Sequence, residues 1–243
     1  MTFSPALRHR QKVLAALASD ATRPLDSAPA APTEGAAGAE YAALLAVLHE
    51  AVRGLSDIAS HEARQPKKAE LAKVFADWIE GVLAADQPVQ DEILIVNMIW
   101  AIDYRDFDYA LRLADFALRH GLAMPERYNR TVACFLAEDV AELALKESGA
   151  VSHDVLVRVH ALTGAADMPD PAKAKLMKAL GRSWVARADD FNPAADNAPA
   201  GGAQAYLEQA QECFTRALAL DQKSGVKTDL KMLEKRLAPA PAS

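Results

Sequence analysis

Residues 91–104 read Asp91-Glu92-Ile93-Leu94-Ile95-Val96-Asn97-Met98-Ile99-Trp100-Ala101-Ile102-Asp103-Tyr104, two acids followed by a run that is apolar nearly all round. Taken alone, Ile93 to Val96 would pass for a buried strand. The run continues through Met98, Ile99, Trp100 and Ile102, too long for an ordinary strand of about five or six residues. An apolar surface on every side predicts a helix at the centre of a core, begun by acids that complement its N-terminal dipole.

The flanking sequence keeps the helical period. Upstream, Leu71, Val74, Phe75, Trp78, Ile79, Val82 and Leu83 recur in steps of three and one, while Lys73, Asp77 and Glu80 fall on the opposite face. Before them, Tyr41, Leu44, Leu45, Leu48, Val52 and Leu55 form one stripe of a long helix starting at Glu40, which Gln65-Pro66 punctuates. Downstream, helices are predicted over 106–120, closed by Gly121, and over about 131–148, 152–163, 170–188, 203–221 and 224–237. No segment of comparable quality alternates with period two, so the fold class is all-α.

Residues 107–118 and 205–221 share the small-residue spacing of tetratricopeptide-type helices, the second supported by Leu180-Gly181 in the helix before it. A sustained repeat of about 34 residues is missing. The expected architecture is therefore an irregular multi-helix array with such helix pairs, although alanines that merely permit close packing explain the pattern equally well.

Composition bounds the chemistry. The 243 residues are 51 % apolar and carry a net charge of −6, which argues against a protein that coats nucleic acid over its whole surface. The charge is unevenly spread. Residues 1–23 hold four Lys or Arg against one acid, residues 222–243 hold five against two, and the stretch between them holds 18 against 30. An acidic body with basic ends predicts that contact with a polyanion is local.

Three clusters could make it. Arg8, His9, Arg10 and Lys12 lie on a short basic helix opened by Ser4-Pro5, and residues 21–39, rich in Ala and Pro, would tether that helix flexibly as a DNA-contacting arm. Arg64, Lys67, Lys68 and Lys73 gather at the Pro66 junction, where an ordinary solvated turn is the alternative. Lys223, Lys227, Lys231, Lys235 and Arg236 place lysines at intervals of four beside a seam of Val226, Leu230, Leu233 and Leu237. Lys227, Leu230, Lys231 and Leu233 are thus candidates for pairing with a partner helix, unless that seam docks on its own core.

Catalytic and metal patterns are not expected. Gly201-Gly202 and Gly225-Val226-Lys227-Thr228 lack the glycine frame of a phosphate-binding loop, and no two of the six histidines have metal-ligand spacing. The doublets Asp91-Glu92, Glu138-Asp139 and Asp189-Asp190 fit helix termini better than a magnesium site. Cys134 and Cys213 sit in apolar helical patterns and read as core residues of a chain in a reducing compartment, and no apolar run is long enough to span a membrane. No cofactor is expected.

Several blocks resemble a known family: Ser4-Pro5-Ala6-Leu7-Arg8-His9, Asp91-Glu92-Ile93-Leu94 running to Met98-Ile99-Trp100, and Ala110-Leu111 through Leu118-Arg119-His120-Gly121-Leu122-Ala123-Met124-Pro125. Further on come Thr163-Gly164-Ala165-Ala166-Asp167-Met168-Pro169-Asp170, Lys173-Ala174-Lys175-Leu176, and Arg216-Ala217-Leu218 to Leu220-Asp221 with Gly225-Val226-Lys227. In number and order these blocks resemble the small terminase subunit family (GpM type) of temperate, contractile-tailed phages. The resemblance implies a protein of the bacterial host cytoplasm that assembles as a homo-oligomeric ring, recognises double-stranded viral DNA at the packaging site, and delivers it to a large terminase subunit holding the ATPase and nuclease. Some members of that family carry the label of endonuclease subunit. The expected division of labour is residues 1–20 as the arm, 21–39 as linker, 40–190 as core and oligomerisation domain, and 191–243 as the contact with a partner or the large subunit. Relatives can have a longer basic tail where this chain ends in Leu237-Ala238-Pro239-Ala240-Pro241-Ala242-Ser243, so weaker DNA affinity is expected from that end.

Overall fold

The computed structural model describes residues 30–193 and 201–238, and among them every regular element is helical. In chain order the α-helices are α1 (Gly35–Ser56), α2 (His61–Ala72), α3 (Ala76–Ala85), α4 (Glu92–Asp103), α5 (Phe107–Arg119), α6 (Val132–Lys146), α7 (His153–Thr163), α8 (Asp170–Asp189), α9 (Gly202–Leu220) and α10 (Lys227–Leu237). A 3₁₀ turn, Lys73–Phe75, joins α2 to α3. The chain divides into two compact units, one ending at Val132 and the other beginning at Ala133. None of the described helices is long and apolar enough to cross a membrane.

The first unit is built round α4, as its composition predicts. Every residue from Ile93 to Ile102 is buried, and α5, α2 and α1 pack against it. Each fully buried large aliphatic contributes about 1.5–3 kcal/mol, so this helix carries much of the unit's stability. Asp91 starts it by accepting a hydrogen bond from the Leu94 amide at 3.0 Å. At its other end the Asp106 amide donates to Ala101 O at 2.9 Å and the Arg105 amide to Ile102 O at 3.1 Å, a Schellman closure with Arg105 at φ 68°. Asp106 then caps α5 through the Tyr109 amide, 3.1 Å away. Gly121, at φ 63°, closes α5 in the same way, with the Leu122 amide on Ala117 O at 2.9 Å.

Two boundaries differ from those expected. Helix α1 begins at Gly35, inside the 21–39 segment assigned to linker, and Ala37 and Gly38 are already buried. Alanine is the best helix former, a property that a disorder argument based on low hydrophobicity and prolines overlooks. Gly38 also has to be small, because a Cβ there would stand 2.6 Å from the Thr33 carbonyl carbon. Nor does Pro66 end a helix. The break falls at Asp57–Ser60 and α2 runs through the proline, starting where the Ser60 hydroxyl accepts from the Ala63 amide at 3.2 Å. The 3₁₀ turn then advances the chain by about three residues per turn, and this rotates Val74 off the apolar stripe to 55 % exposure.

In the second unit α8 and α9 pack most extensively, with Phe214, Ala210 and Ala217 fully buried. Gly181 makes that approach possible, since a Cβ at this position would lie 2.4 Å from the Phe214 ring. Ser152 caps α7 through the Val155 amide at 3.3 Å, and Pro171 stands in the first turn of α8, where its missing N–H costs nothing. The pair α8–α9 spans the 190/191 boundary drawn from sequence.

Candidate nucleic-acid interface

The cations on α2 are mostly committed to the fold. Arg64 Nε donates to Ile58 O at 2.6 Å, Lys67 pairs with Glu70 at 3.0 Å, and Lys68 reaches from α2 to Asp103 of α4 at 2.5 Å. Lys68 has only 19 % of its side chain exposed. The hydrogen bond from Lys67, with the charge of Lys73 behind it, holds the Glu70 carboxyl below the usual glutamate value. Of the four residues predicted here to contact DNA, only Lys73 stands exposed without an ion pair among the described residues. Arg8, His9, Arg10 and Lys12 lie outside the described residues.

Helix α10 is arranged differently. Its apolar seam docks on its own unit: Val226 and Leu233 are buried, Leu230 and Leu237 half-buried. The docking has ionic and polar fasteners. Arg236 pairs with Asp189 at 2.6 Å, Arg182 with Asp229 at 3.5 Å, and Lys178 donates to Ser224 O at 2.8 Å beside Gly225, whose φ is 75°. Leu230 and Leu233, candidates for a partner helix, therefore face their own core, the second of the two alternatives their pattern allows. Lys227, Lys231 and Lys235 remain exposed, with Lys223 in the preceding turn, and none of the four has an ion pair among the described residues. A step of four residues advances a helix by about 6 Å and drifts about 40°, so Lys227, Lys231 and Lys235 form a slowly turning ladder along α10 with one acid of that helix, Glu234, at its edge. Fastening α10 from one flank by acids and cations of α8 leaves the lysine flank to solvent.

Comparison with known proteins places the chain. The family model described as phage small terminase subunit matches residues 45–171, just over half the sequence. The chain belongs to the phage small terminase subunit family. The protein of Escherichia phage P2 named "Terminase, endonuclease subunit" is 35 % identical over 241 residues, covering 98 % of this chain and 87 % of that relative. No solved structure matches the chain. The span of the family model runs from α1 into the first turn of α8, whereas the similarity to the P2 protein takes in α10 as well.

The P2 relative's name directs attention to the acidic doublets of this terminase family member. Asp91 is buried, accepts from Trp78 Nε1 at 2.7 Å as well as from Leu94, and burial raises its carboxyl pKa. A carboxylate so enclosed serves as a cap and core contact. Glu92 faces His49 at 3.3 Å and Arg127 at 3.8 Å, Glu138 faces Lys175 at 3.5 Å, and Asp189 is held by Arg236. Among the described residues no three His, Cys, Asp or Glu side chains gather as a metal ion requires. Cys134 is buried and Cys213 half-buried, where burial pushes the Cys213 thiol up to about 11 and away from reactivity at neutral pH.

One cluster was not legible from sequence. Arg187 lies 5.1 Å over the Tyr206 ring and 6.0 Å from that of Trp184; these rings stack at 5.5 Å, with His153 edge-on to Trp184 at 4.0 Å. His153 also shares a 2.8 Å hydrogen bond with Ser183, and desolvation, then the charge of Arg187, lowers its pKa. Its members come from α7, α8 and α9, so no local spacing announces them. The cluster rivets the three helices together.

Proposed function

We propose that the protein is the DNA-recognising subunit of a phage terminase, assembling as a homo-oligomeric ring, binding double-stranded viral DNA at the packaging site, and passing it to the large subunit that carries the ATPase and nuclease. Family membership supports the setting. The observation that carries the DNA reading is the α10 ladder: Lys227, Lys231 and Lys235, with Lys223 in the turn before them, exposed and without an ion pair among the described residues, on an otherwise acidic chain. Lysines in this state can each neutralise a phosphate and release a counterion. The arm residues Arg8, His9, Arg10 and Lys12 add a second basic element in this proposal, and residues 40–190 supply the oligomerisation surface. Arg64, Lys67, Lys68 and Lys73 contribute less than their sequence clustering suggests, because the first three already hold partners.

A second reading, cleavage by this chain itself, is favoured by the name of the P2 relative. One experiment separates the two. The full chain is incubated with duplex carrying the packaging site, with and without magnesium, and native mass, mobility shift and strand integrity are followed. A multimer that shifts intact DNA supports recognition. Nicking that Asp189→Ala abolishes while helical content is kept would establish the nuclease instead, and a monomer that shifts no duplex at low salt would defeat the proposal.

A further inference from the structure

The second unit contains a cavity of about 240 Å³ at the end of α7, enclosed by α8 and α9. Its floor is apolar: Met168, Leu176, Met177 and Leu220. Two cations stand over that floor, Lys173 from α8 and Arg216 from α9, and no carboxylate lines it. Asp167 and Asp170, near in sequence, are not among the lining residues.

The state of these two cations distinguishes them from their neighbours. Along α8, Lys175 faces Glu138 and Glu142, Lys178 donates to Ser224 O, Arg182 pairs with Asp229, and Arg187 stacks on aromatic rings. Lys173 has no ion pair among the described residues. On α9, Arg216 follows Glu208 and Glu212 as that helix's single basic residue, and it too has no ion pair among the described residues. The rest of the lining includes His160 and Thr163, whose hydroxyl donates to Val159 O at 2.8 Å. Gly164 keeps that side open, since a Cβ there would stand 2.8 Å from the His160 carbonyl oxygen and 3.2 Å from its ring.

We infer that this cavity is a docking pocket for an acidic segment of a partner protein, seating one large apolar side chain on the methionine and leucine floor while flanking carboxylates pair with Lys173 and Arg216. Its volume falls below the roughly 300–1,000 Å³ of small-molecule sites. A phosphate backbone would leave the apolar floor unsatisfied, so charge and hydrophobicity together favour peptide over nucleic acid. The inference deepens the partner half of the proposed function, but it rests on a surface separate from the α10 ladder.

Methionine methyl spectra test it with the whole chain. The six methionines include Met168 and Met177 on the cavity floor and Met232 on the exposed side of α10. The probe is the peptide acetyl-Asp-Glu-Leu-Phe-Glu-Asp-amide, with a lysine-for-acid version as control and a short duplex as rival. We expect the acidic peptide to move the Met168 and Met177 signals and leave Met232 in place. Lys173→Glu or Arg216→Glu should weaken that response by about tenfold, and the lysine peptide should recover binding on the double variant. Neither position has an ion pair among the described residues, and unchanged circular dichroism verifies that the variants fold. The inference is overturned if neither floor methionine moves at about 1 mM peptide, if charge reversal leaves the response unchanged, or if duplex moves the floor methionines and displaces peptide. Since duplex bound by α10 would report at Met232, failure of the pocket and failure of DNA binding give different spectra.

Discussion

Asp91 shows how one residue can hold a structural post that resembles a catalytic one. It caps α4, accepts from the Trp78 indole, and is enclosed on all sides, so burial raises its pKa. Between the ordinary aspartate value and the raised one, the folded chain keeps a proton that the unfolded chain has lost. The stability this supplies is complete below the ordinary value and disappears as pH rises through the raised one. Asp91→Asn removes that dependence. Urea midpoints measured from about pH 4 upward should drift in the variant's favour relative to wild type as pH increases, and parallel curves would contradict the assignment. That Asp91 begins a helix was legible from the apolar run it precedes. Its enclosure was not, because Trp78 lies thirteen residues upstream on another helix.

At the scale of elements, α4, α5 and α7 follow their caps and periods closely, since Asp91, Asp106 and Ser152 each accept the amide three residues on. Helix α2 does not. Pro66 sits in its interior and removes one helical hydrogen bond, a defect tolerated because neighbouring contacts with α4 hold the helix. Pro66→Ala should therefore stabilise the protein by about 1–2 kcal/mol, the helix-interior penalty of proline offset in part by the greater freedom of the unfolded variant. A higher midpoint in urea denaturation checks this, and an unchanged or lower one would mean that the proline ring packs usefully. The engagement of the α2 cations was equally hidden, since Asp103, the partner of Lys68, is 35 residues away. Sequence clustering of charge shows where cations are. Whether they are free depends on which acids the fold brings to them.

For the whole molecule the decisive property is the contrast between an acidic body and basic ends, with the α10 lysines exposed because the acids and cations of α8 fasten the opposite flank of that helix. The all-α class was legible from periodicity alone, and the family from blocks spread over the chain. The cavity of the second unit was not, because its lining is contributed by three helices separated by loops. The central claim is that free lysines on α10 neutralise DNA phosphates. Its most direct test is the salt dependence of duplex binding by the full chain and by the triple variant Lys227→Ala, Lys231→Ala, Lys235→Ala, with helical content and native mass as controls. The account predicts that the slope of log K against log salt becomes shallower by about 2.7 for each contacting protomer, at roughly 0.9 per lost phosphate contact. An unaltered slope in a folded, correctly assembled variant would contradict it.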